Sequence, residues 1–387
     1  MTSRTRIWVL VVSTPIIAFA VLGGYLGQVL AKDDTYQHLR VFEDVVSLVL
    51  NNYVEDVDVK RAMGGAMRGL ADGLDADSGF VTPELVKAIE TNQPNGPADI
   101  GVEVSRQYYL RIVSVREGSP AAKAGLRSGD FIRAIDGKAT RDMSSYEGGR
   151  LLHGAQGSKV MLLVIRGNAA DPHEVSLTRE RPSPTEITSR MADGSTGYLH
   201  IHQFSKDTPA RLKQIFETLT KSGASRFIID LRDSASGDVD EGIAAARLFV
   251  KSGTLAVKQF KGAKEVVTAQ AADGPITARV VLLVDPGTAG PGEVFAAALD
   301  GNNRAELIGE HTLGRAARQQ LIRLPDGSGL LLTNLRYQTP AGKDIHEKGL
   351  EPDVAVDAPD VEFGSEPPTT DPILDKALQV VAEKKAA

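Results

Sequence analysis

The sequence predicts an α/β multidomain chain, with helices at its N-terminal end, a compact β-rich module and then a layered α/β domain. Three observations carry this. Apolar residues first recur at helical spacing. Near Gly101 their period shortens towards two. Beyond about residue 184, strand-like and helix-like segments alternate. A length of 387 residues suits two or three domains at about 100–200 residues each. With 42% hydrophobic and 24% charged residues the chain is ordinary globular material, which excludes wholesale disorder and collagen-like repeats. A net charge of -6, from 44 basic and 50 acidic residues, argues against a nucleic-acid partner, which needs clustered excess Lys and Arg. Cysteine is absent, so disulfides, thiolate metal sites and a cysteine nucleophile are excluded.

Residues 1–31 read as a membrane anchor or signal. Arg4 and Arg6 precede an apolar run from Ile7 to about Ala31, long enough for a bilayer at about 20 residues per span. A run this apolar on every face suits an uncleaved anchor better than a core helix, and a signal trimmed near Val29-Leu30-Ala31 is the alternative. The arginines lie on the short side, against Asp33 and Asp34 on the other. The N-terminus would then be cytoplasmic and the bulk of the chain would face the periplasm or another extracytoplasmic space.

Residues 32–98 form an N-terminal helical segment. Val41, Val45, Leu48 and Val49 mark one helix and Val59 to Leu70 a second, before the turn-rich Asp75-Ala76-Asp77-Ser78-Gly79. Residues 99–183 hold short strands at Val102–Val104, Leu110–Val115, Phe131–Ile135 and Val160–Val164, separated by Gly, Ser, Pro and Asp turns. Arg181-Pro182-Ser183-Pro184 reads as a linker. In residues 184–356, strands at Gly197–His202, Phe227–Leu231 and Arg279–Val284 alternate with helices at Pro209–Lys221, Val239–Val250 and Glu293–Leu299. That alternation implies a buried, mostly parallel sheet. Residues 357–387 are a Pro-rich tether to about Asp371 and then a helix begun by Asp371-Pro372, an N-cap followed by a proline at the first helical position.

The β-rich module resembles a PDZ domain. The resemblance rests on Ile100-Gly101-Val102-Glu103-Val104, on Gly118-Ser119-Pro120-Ala121-Ala122-Lys123-Ala124-Gly125-Leu126, and on Ser128-Gly129-Asp130 with Ile135-Asp136-Gly137. Such domains add a peptide strand to a sheet edge and hold its terminal carboxylate on backbone N–H groups. The resemblance therefore implies that Ile100, Gly101 and Val102 form a carboxylate loop for protein or peptide C-termini. The alternative is a module that only packs against its neighbour. Gly148 and Gly149 fall where the groove helix should run, each costing about 1 kcal/mol against Ala, so a frayed helix is expected there.

A wider pattern covers roughly residues 39–385. Leu74-Asp75-Ala76-Asp77-Ser78-Gly79-Phe80-Val81-Thr82-Pro83, the PDZ-like segment, Gly197-Tyr198 with Gln203-Phe204, and Ile229-Asp230-Leu231-Arg232 occur in that order. They are followed by Gly309-Glu310, Leu324-Pro325-Asp326-Gly327, Arg336-Tyr337-Gln338-Thr339-Pro340 and Gly349-Leu350-Glu351-Pro352-Asp353. Together they resemble the carboxyl-terminal processing, or tail-specific, serine proteases. The resemblance implies a Ser–Lys dyad, in which a neutral amine takes the proton of an attacking serine; no cofactor and no metal is expected.

Both dyad positions differ here. The family's Gly-(Ser/Thr)-Ala-Ser-Ala-Ser-Glu loop corresponds to Gly287-Thr288-Ala289-Gly290-Pro291-Gly292-Glu293, with Gly290 at the nucleophile. The family's Phe-Gly-Lys-Gly turn, 25 residues on, corresponds to Leu313-Gly314-Arg315-Ala316. Gln319 keeps the place of the family's third active-site residue. Gly290 has no atom to acylate, and a guanidinium stays protonated at any working pH. Pro291 lacks an N–H, which removes an oxyanion donor. The family's Asn-Asn-Pro-Gly-Gly loop is altered to Asp233-Ser234-Ala235-Ser236-Gly237. The expectation is a pseudoprotease that binds C-termini, the alternative an active endopeptidase with Thr288, Ser234 or Ser236 as displaced nucleophile and His311 as base. Asp230 and Arg232 suit a structural ion pair. Lys343 lies outside the nucleophile turn. His200 and His202 share a strand face, but the sequence suggests no third ligand for a metal. Pairing of the N-terminal helices between chains would make a homo-oligomer.

Overall fold

The computed structural model describes residues 36–91, 95–167, 171–182, 186–359, 361–365 and 368–383; the expected anchor, and Ser183-Pro184 of the expected linker, lie outside them. The chain divides into two compact units, Met1–Met67 and Arg68–Ala387. In the first, helix α1 covers residues 36–52 and exposes Leu39, Val41, Val45 and Leu48. Among the described residues no helix is long and apolar enough to cross a membrane.

Helix α2 (Val59–Asp72) leads to the Asp75 turn, where the Asp75 carboxylate accepts the N–H groups of Asp77 and Ser78 at 3.0 and 2.6 Å. Strand β1 (Gly79–Val81) and helix α3 (Pro83–Glu90) follow.

The PDZ-like module holds β2 (Val102–Gln107), β3 (Tyr109–Val115), α4 (Pro120–Lys123), β4 (Phe131–Ile135), β5 (Lys138–Ala139), α5 (Ser145–Leu152), β6 (Lys159–Ile165) and β7 (His173–Thr178). Its antiparallel sheet runs β2-β3-β4-β6-β7, with β5 on β4. Ile100, Leu110, Ile112, Ile132, Leu162 and Val164 fill one core. The expected fraying of α5 is overturned. Ser144 caps the helix by accepting the Glu147 N–H, and Gly148 is buried so closely against Leu110 that a Cβ there would lie 2.1 Å from Leu110 Cδ1. The glycine is what lets the helix approach the sheet.

The remainder contains β8 (Ile187–Met191), β9 (Thr196–Ile201), α6 (Thr208–Lys221), β10 (Arg226–Asp230), α7 (Val239–Ala246), β11 (Thr254–Phe260) and β12 (Ala263–Thr268). After these come β13 (Arg279–Val284), α8 (Pro291–Asp300), β14 (Ala305–Gly309), β15 (Ala317–Arg323), β16 (Gly329–Gln338), β17 (Val354–Ala355) and α9 (Pro372–Ala382). One sheet runs β17-β14-β13-β10-β9-β8, parallel except for β8. It is buried on both faces. Phe227 and Ile229 join the larger core with α7 and α8, whereas Ile228, Val281 and Leu283 pack with Ile373, Ala377 and Val381 of α9. Burial on both sides is why β10 and β13 are apolar without alternation. A second sheet runs β1-β16-β11-β12, with β15 on β16.

Two expectations are corrected. Helix α7 ends at Ala246 rather than Val250, because Leu248 and Phe249 donate to Ala245 and Ala246, tightening the chain into turns of i→i−3 bonds. Among its described residues the Pro-rich stretch has no helix or strand before α9, yet it is docked. Ala358 N–H donates to Glu310 Oε1 at 3.1 Å, Arg166 donates to Val361 O at 3.3 Å, and Phe363 stacks on His173 at 4.4 Å between ring centroids.

Candidate active site

Three neighbouring parallel strands, β10, β13 and β14, deliver three loops at one end of the sheet, their C-terminal end, where open α/β sheets place their ligands. The loop after β10 is Leu231–Gly237, that after β13 is Asp285–Gly290, and that after β14 runs through Thr312 to Arg315.

The organiser of these turns is Glu293, in the first turn of α8 and fully buried. Its carboxylate accepts the N–H groups of Gly290 (3.1 Å), Gly314 (2.6 Å) and Arg315 (2.8 Å) and the Thr312 hydroxyl (2.5 Å). Burial raises its pKa above the ordinary glutamate value, against the pull of those four donors. One side chain thus fixes both the turn of Gly290 and the turn of Arg315. Sequence reasoning quoted Glu293 without giving it a role; its place three residues after Gly290, at the start of a helix, was the available signal.

Gly290 has φ +55°, a left-handed conformation that favours glycine. A Cβ on it would meet Ala235 O, Arg315 O and Val239 Cγ2 at 3.8–3.9 Å, ordinary contact distances. The position therefore has space for a side chain and lacks one, although the positive φ would strain any residue other than glycine. Pro291 follows as the first residue of α8.

Arg315 is ion-paired. Its Nε donates to both Asp77 oxygens at 2.8 and 3.1 Å, and its Nη2 lies 2.8 Å from Asp77 Oδ1. Burial works against the guanidinium charge, but Asp77 and then Glu103 outweigh it and hold the pKa above the usual arginine value. Asp77 is itself buried. It was missed in the sequence, being 238 residues away with no local pattern to connect the two. Gln319 sits at a bulge of β15, its amide donating to Thr333 Oγ1 at 3.3 Å.

The alternative nucleophiles are placed as follows. Thr288 Oγ1 reaches Leu231 O at 2.9 Å and the Asp285 carboxylate at 3.1 Å. Ser236 Oγ donates to Glu103 Oε1 at 2.8 Å. Ser234 Oγ is buried without a hydrogen-bond partner. No amine or imidazole stands among these partners. His311 lies 3.5 Å from Glu351, and Lys343 closes an exposed turn with Thr339.

Asp230 and Arg232 do pair, and Arg232 also grips Asp371, the N-cap of α9, with two bonds of 2.9 Å. Burial raises the Asp230 pKa, yet Arg232 overrides it and keeps the carboxyl below its ordinary value. Asp285, partly buried, is pushed up to about 8 by loss of solvation and then by Asp233 and Asp230.

Ile100, Gly101 and Val102 lie together at the start of β2. Ile100 O accepts the Ala121 N–H and Gly101 O the Arg116 N–H, at 3.0 and 2.8 Å. Gly101 has φ +82°, and a Cβ there would sit 2.2 Å from Ser119 Cβ, so only glycine fits. Helix α5 flanks β2, with a Cβ at Gly149 4.0 Å from Val104 Cγ2. Two bonds tie this module to the loop after β10: Ser236 to Glu103, and Val115 N–H to Asp233 Oδ1 at 2.9 Å.

Residues 195–356 match Peptidase family S41, and residues 111–166 match the PDZ domain family. The carboxy-terminal processing protease CtpA of Bacillus subtilis (strain 168) is 30% identical over 373 residues, covering 93% of this chain and 79% of that protein. The chain belongs to the carboxyl-terminal processing protease family. The carboxyl-terminal-processing protease of Synechocystis sp. (strain ATCC 27184 / PCC 6803 / Kazusa) is 34% identical over 295 residues, 73% of this chain and 68% of that protein. The solved photosystem II D1 C-terminal processing protease superposes with a TM-score of 0.70 at 28% identity, over 82% of this chain and 86% of that one. Membership of the tail-specific proteases accounts for the PDZ-like module, the layered α/β core and the order of the motifs.

Proposed function

We propose that this member of the tail-specific protease family is a pseudoprotease, which binds protein or peptide C-termini through its PDZ domain and does not cut them. The observation that carries the reading is the pair Gly290 and Arg315. The nucleophile position offers no reacting atom, and the base position holds a cation locked to Asp77. Removing a catalytic nucleophile costs on the order of a millionfold in rate, and a guanidinium held above its ordinary pKa cannot take a proton. Thr288, Ser234 and Ser236 have no amine or imidazole among their hydrogen-bond partners; Thr288 and Ser236 meet only the carboxylates of Asp285 and Glu103 and, for Thr288, a backbone carbonyl, which speaks against a displaced dyad of the family's kind.

Tail binding rests on Ile100, Gly101 and Val102 at the start of β2, next to α5, where a terminal carboxylate would be held on backbone N–H groups. A fluorescent peptide with an apolar C-terminal residue is expected to bind the purified protein at least tenfold more tightly than its C-terminal amide. Equal affinities would refute carboxylate capture. The apolar run Ile7–Ala31 supports anchoring in a membrane, with the binding module on the extracytoplasmic side.

A further inference from the structure

A second cluster of chemically capable side chains lies away from the Gly290 turn. His200, on β9, and His202, just beyond it, point to the same side of the sheet, their rings tilted at 3.9 Å between centroids. The turn after β3 brings Glu117 to them. Its Oε2 lies 3.8 Å from His200 Nδ1 and 3.6 Å from His202 Nε2, and one ligand atom from each of the three falls within 4.8 Å of the others. The carboxylate distances are too long for hydrogen bonds. The three groups are gathered around a common point without bonding one another.

We propose that Glu117, His200 and His202 form a binding site for a divalent transition-metal ion of the zinc type. The His200 tautomer is fixed for it. His200 Nε2 lies 2.9 Å from Arg232 O, a carbonyl that can only accept, so Nε2 carries the hydrogen and the Nδ1 lone pair faces Glu117. A backbone carbonyl orienting a ligand imidazole from behind is a recurrent outer-shell arrangement in metal sites. Two imidazoles and one carboxylate suit zinc-like ions, whereas magnesium and calcium favour all-oxygen sets. Bonds of about 2.0–2.1 Å in a tetrahedron place ligand atoms roughly 3.3 Å apart. The two carboxylate edges, at 3.6 and 3.8 Å, leave a few tenths of an ångström to close, and the third edge, between the imidazole nitrogens, lies within 4.8 Å. Glu117, 72% exposed on its turn, has the freedom to close it. The Thr188 hydroxyl, 3.2 Å from His202 Nε2, is the contact an ion would displace.

The site opens on a cavity of about 1040 Å³ lined by Glu117, Thr188, Tyr198, His200, Asp230 and Arg232, so a fourth ligand could come from water or a bound molecule. Glu117 belongs to the PDZ-like module and the histidines to the parallel sheet. The ion would therefore cross-link the two and fix the groove relative to the core.

Cobalt(II) serves as the probe, because tetrahedral coordination gives it strong visible absorption. Titration of the untagged full chain, stripped with a chelator, is expected to saturate at one ion per chain with that absorption, and zinc should bleach it. Glu117→Gln changes only an exposed side chain and should weaken binding at least tenfold; His202→Gln should do the same. Absence of saturable one-to-one binding would overturn the proposal, as would affinity unchanged in both variants. None of these readouts depends on peptide cleavage or tail binding.

Discussion

Arg315 and Asp77 show what replaced a catalytic group. Asp77 is buried and gives Arg315 its nearest counter-charge, with Glu103 a second and weaker one, so removing Asp77 leaves a partly buried guanidinium largely uncompensated. Asp77→Ala is expected to lower stability by about 3 kcal/mol in urea unfolding, at unchanged m-value; a loss below about 0.5 kcal/mol would mean that the pair contributes nothing. At Gly290 the environment has kept space for a side chain. Gly290→Ser alone should leave hydrolysis at background, because Arg315 cannot accept the proton. Adding Arg315→Lys and Pro291→Ala should raise it measurably if Glu293 still holds both turns. The Gly290 and Arg315 substitutions were legible in the sequence, since the 25-residue spacing is intact. Asp77 was not legible in its role, because partnership across 238 residues exists only once the chain has folded; for Glu293 the sequence offered only its place at a helix start, and its donors from Thr312, Gly314 and Arg315 come together only in the fold.

At the scale of the element, α5 separates propensity from packing. Its two adjacent glycines predicted fraying, but only one of them is a packing requirement. Gly148→Ala would drive a methyl into fully buried Leu110 and should cost about 1–2 kcal/mol. Gly149→Ala meets nothing nearer than 4.0 Å and should stabilise by up to about 1 kcal/mol through helix propensity. Thermal unfolding of the two variants checks this, and equal effects would contradict the assigned contact. The same distinction explains which strands could be read. β10 and β13, apolar and buried on both faces, stood out. The β11–β12 and β15–β16 hairpins did not: β12 is largely exposed and carries no core-facing alternation, and β15, although its burial alternates, puts Gln319 on the more buried side and Ile322 on the exposed side.

Across the whole molecule, the buried and partly buried carboxylates near the sheet's C-terminal end make stability depend on pH. Asp285 is raised to about 8 by burial and by Asp233 and Asp230, against Arg232, whereas an unfolded Asp titrates near 3.9. Over that interval the folded state holds a proton that the unfolded state has lost, so stability falls as pH rises towards 8. His202, depressed to about 4 chiefly by burial, acts in the opposite sense, but only below about pH 6.5. Between pH 6.5 and 8 the midpoint of urea unfolding should therefore decline, and Asp285→Asn should flatten the decline; an unchanged slope in that variant would assign the effect elsewhere. The layered architecture was legible because alternating apolar segments constrain it strongly. The docking of the Pro-rich stretch was not, since it depends on single contacts such as Phe363 on His173. The most direct test of the central claim is incubation of the purified full chain with an unfolded protein substrate. The account expects no cleavage above background for the natural sequence. Turnover that disappears on Ser236→Ala, Ser234→Ala or Thr288→Val would contradict it.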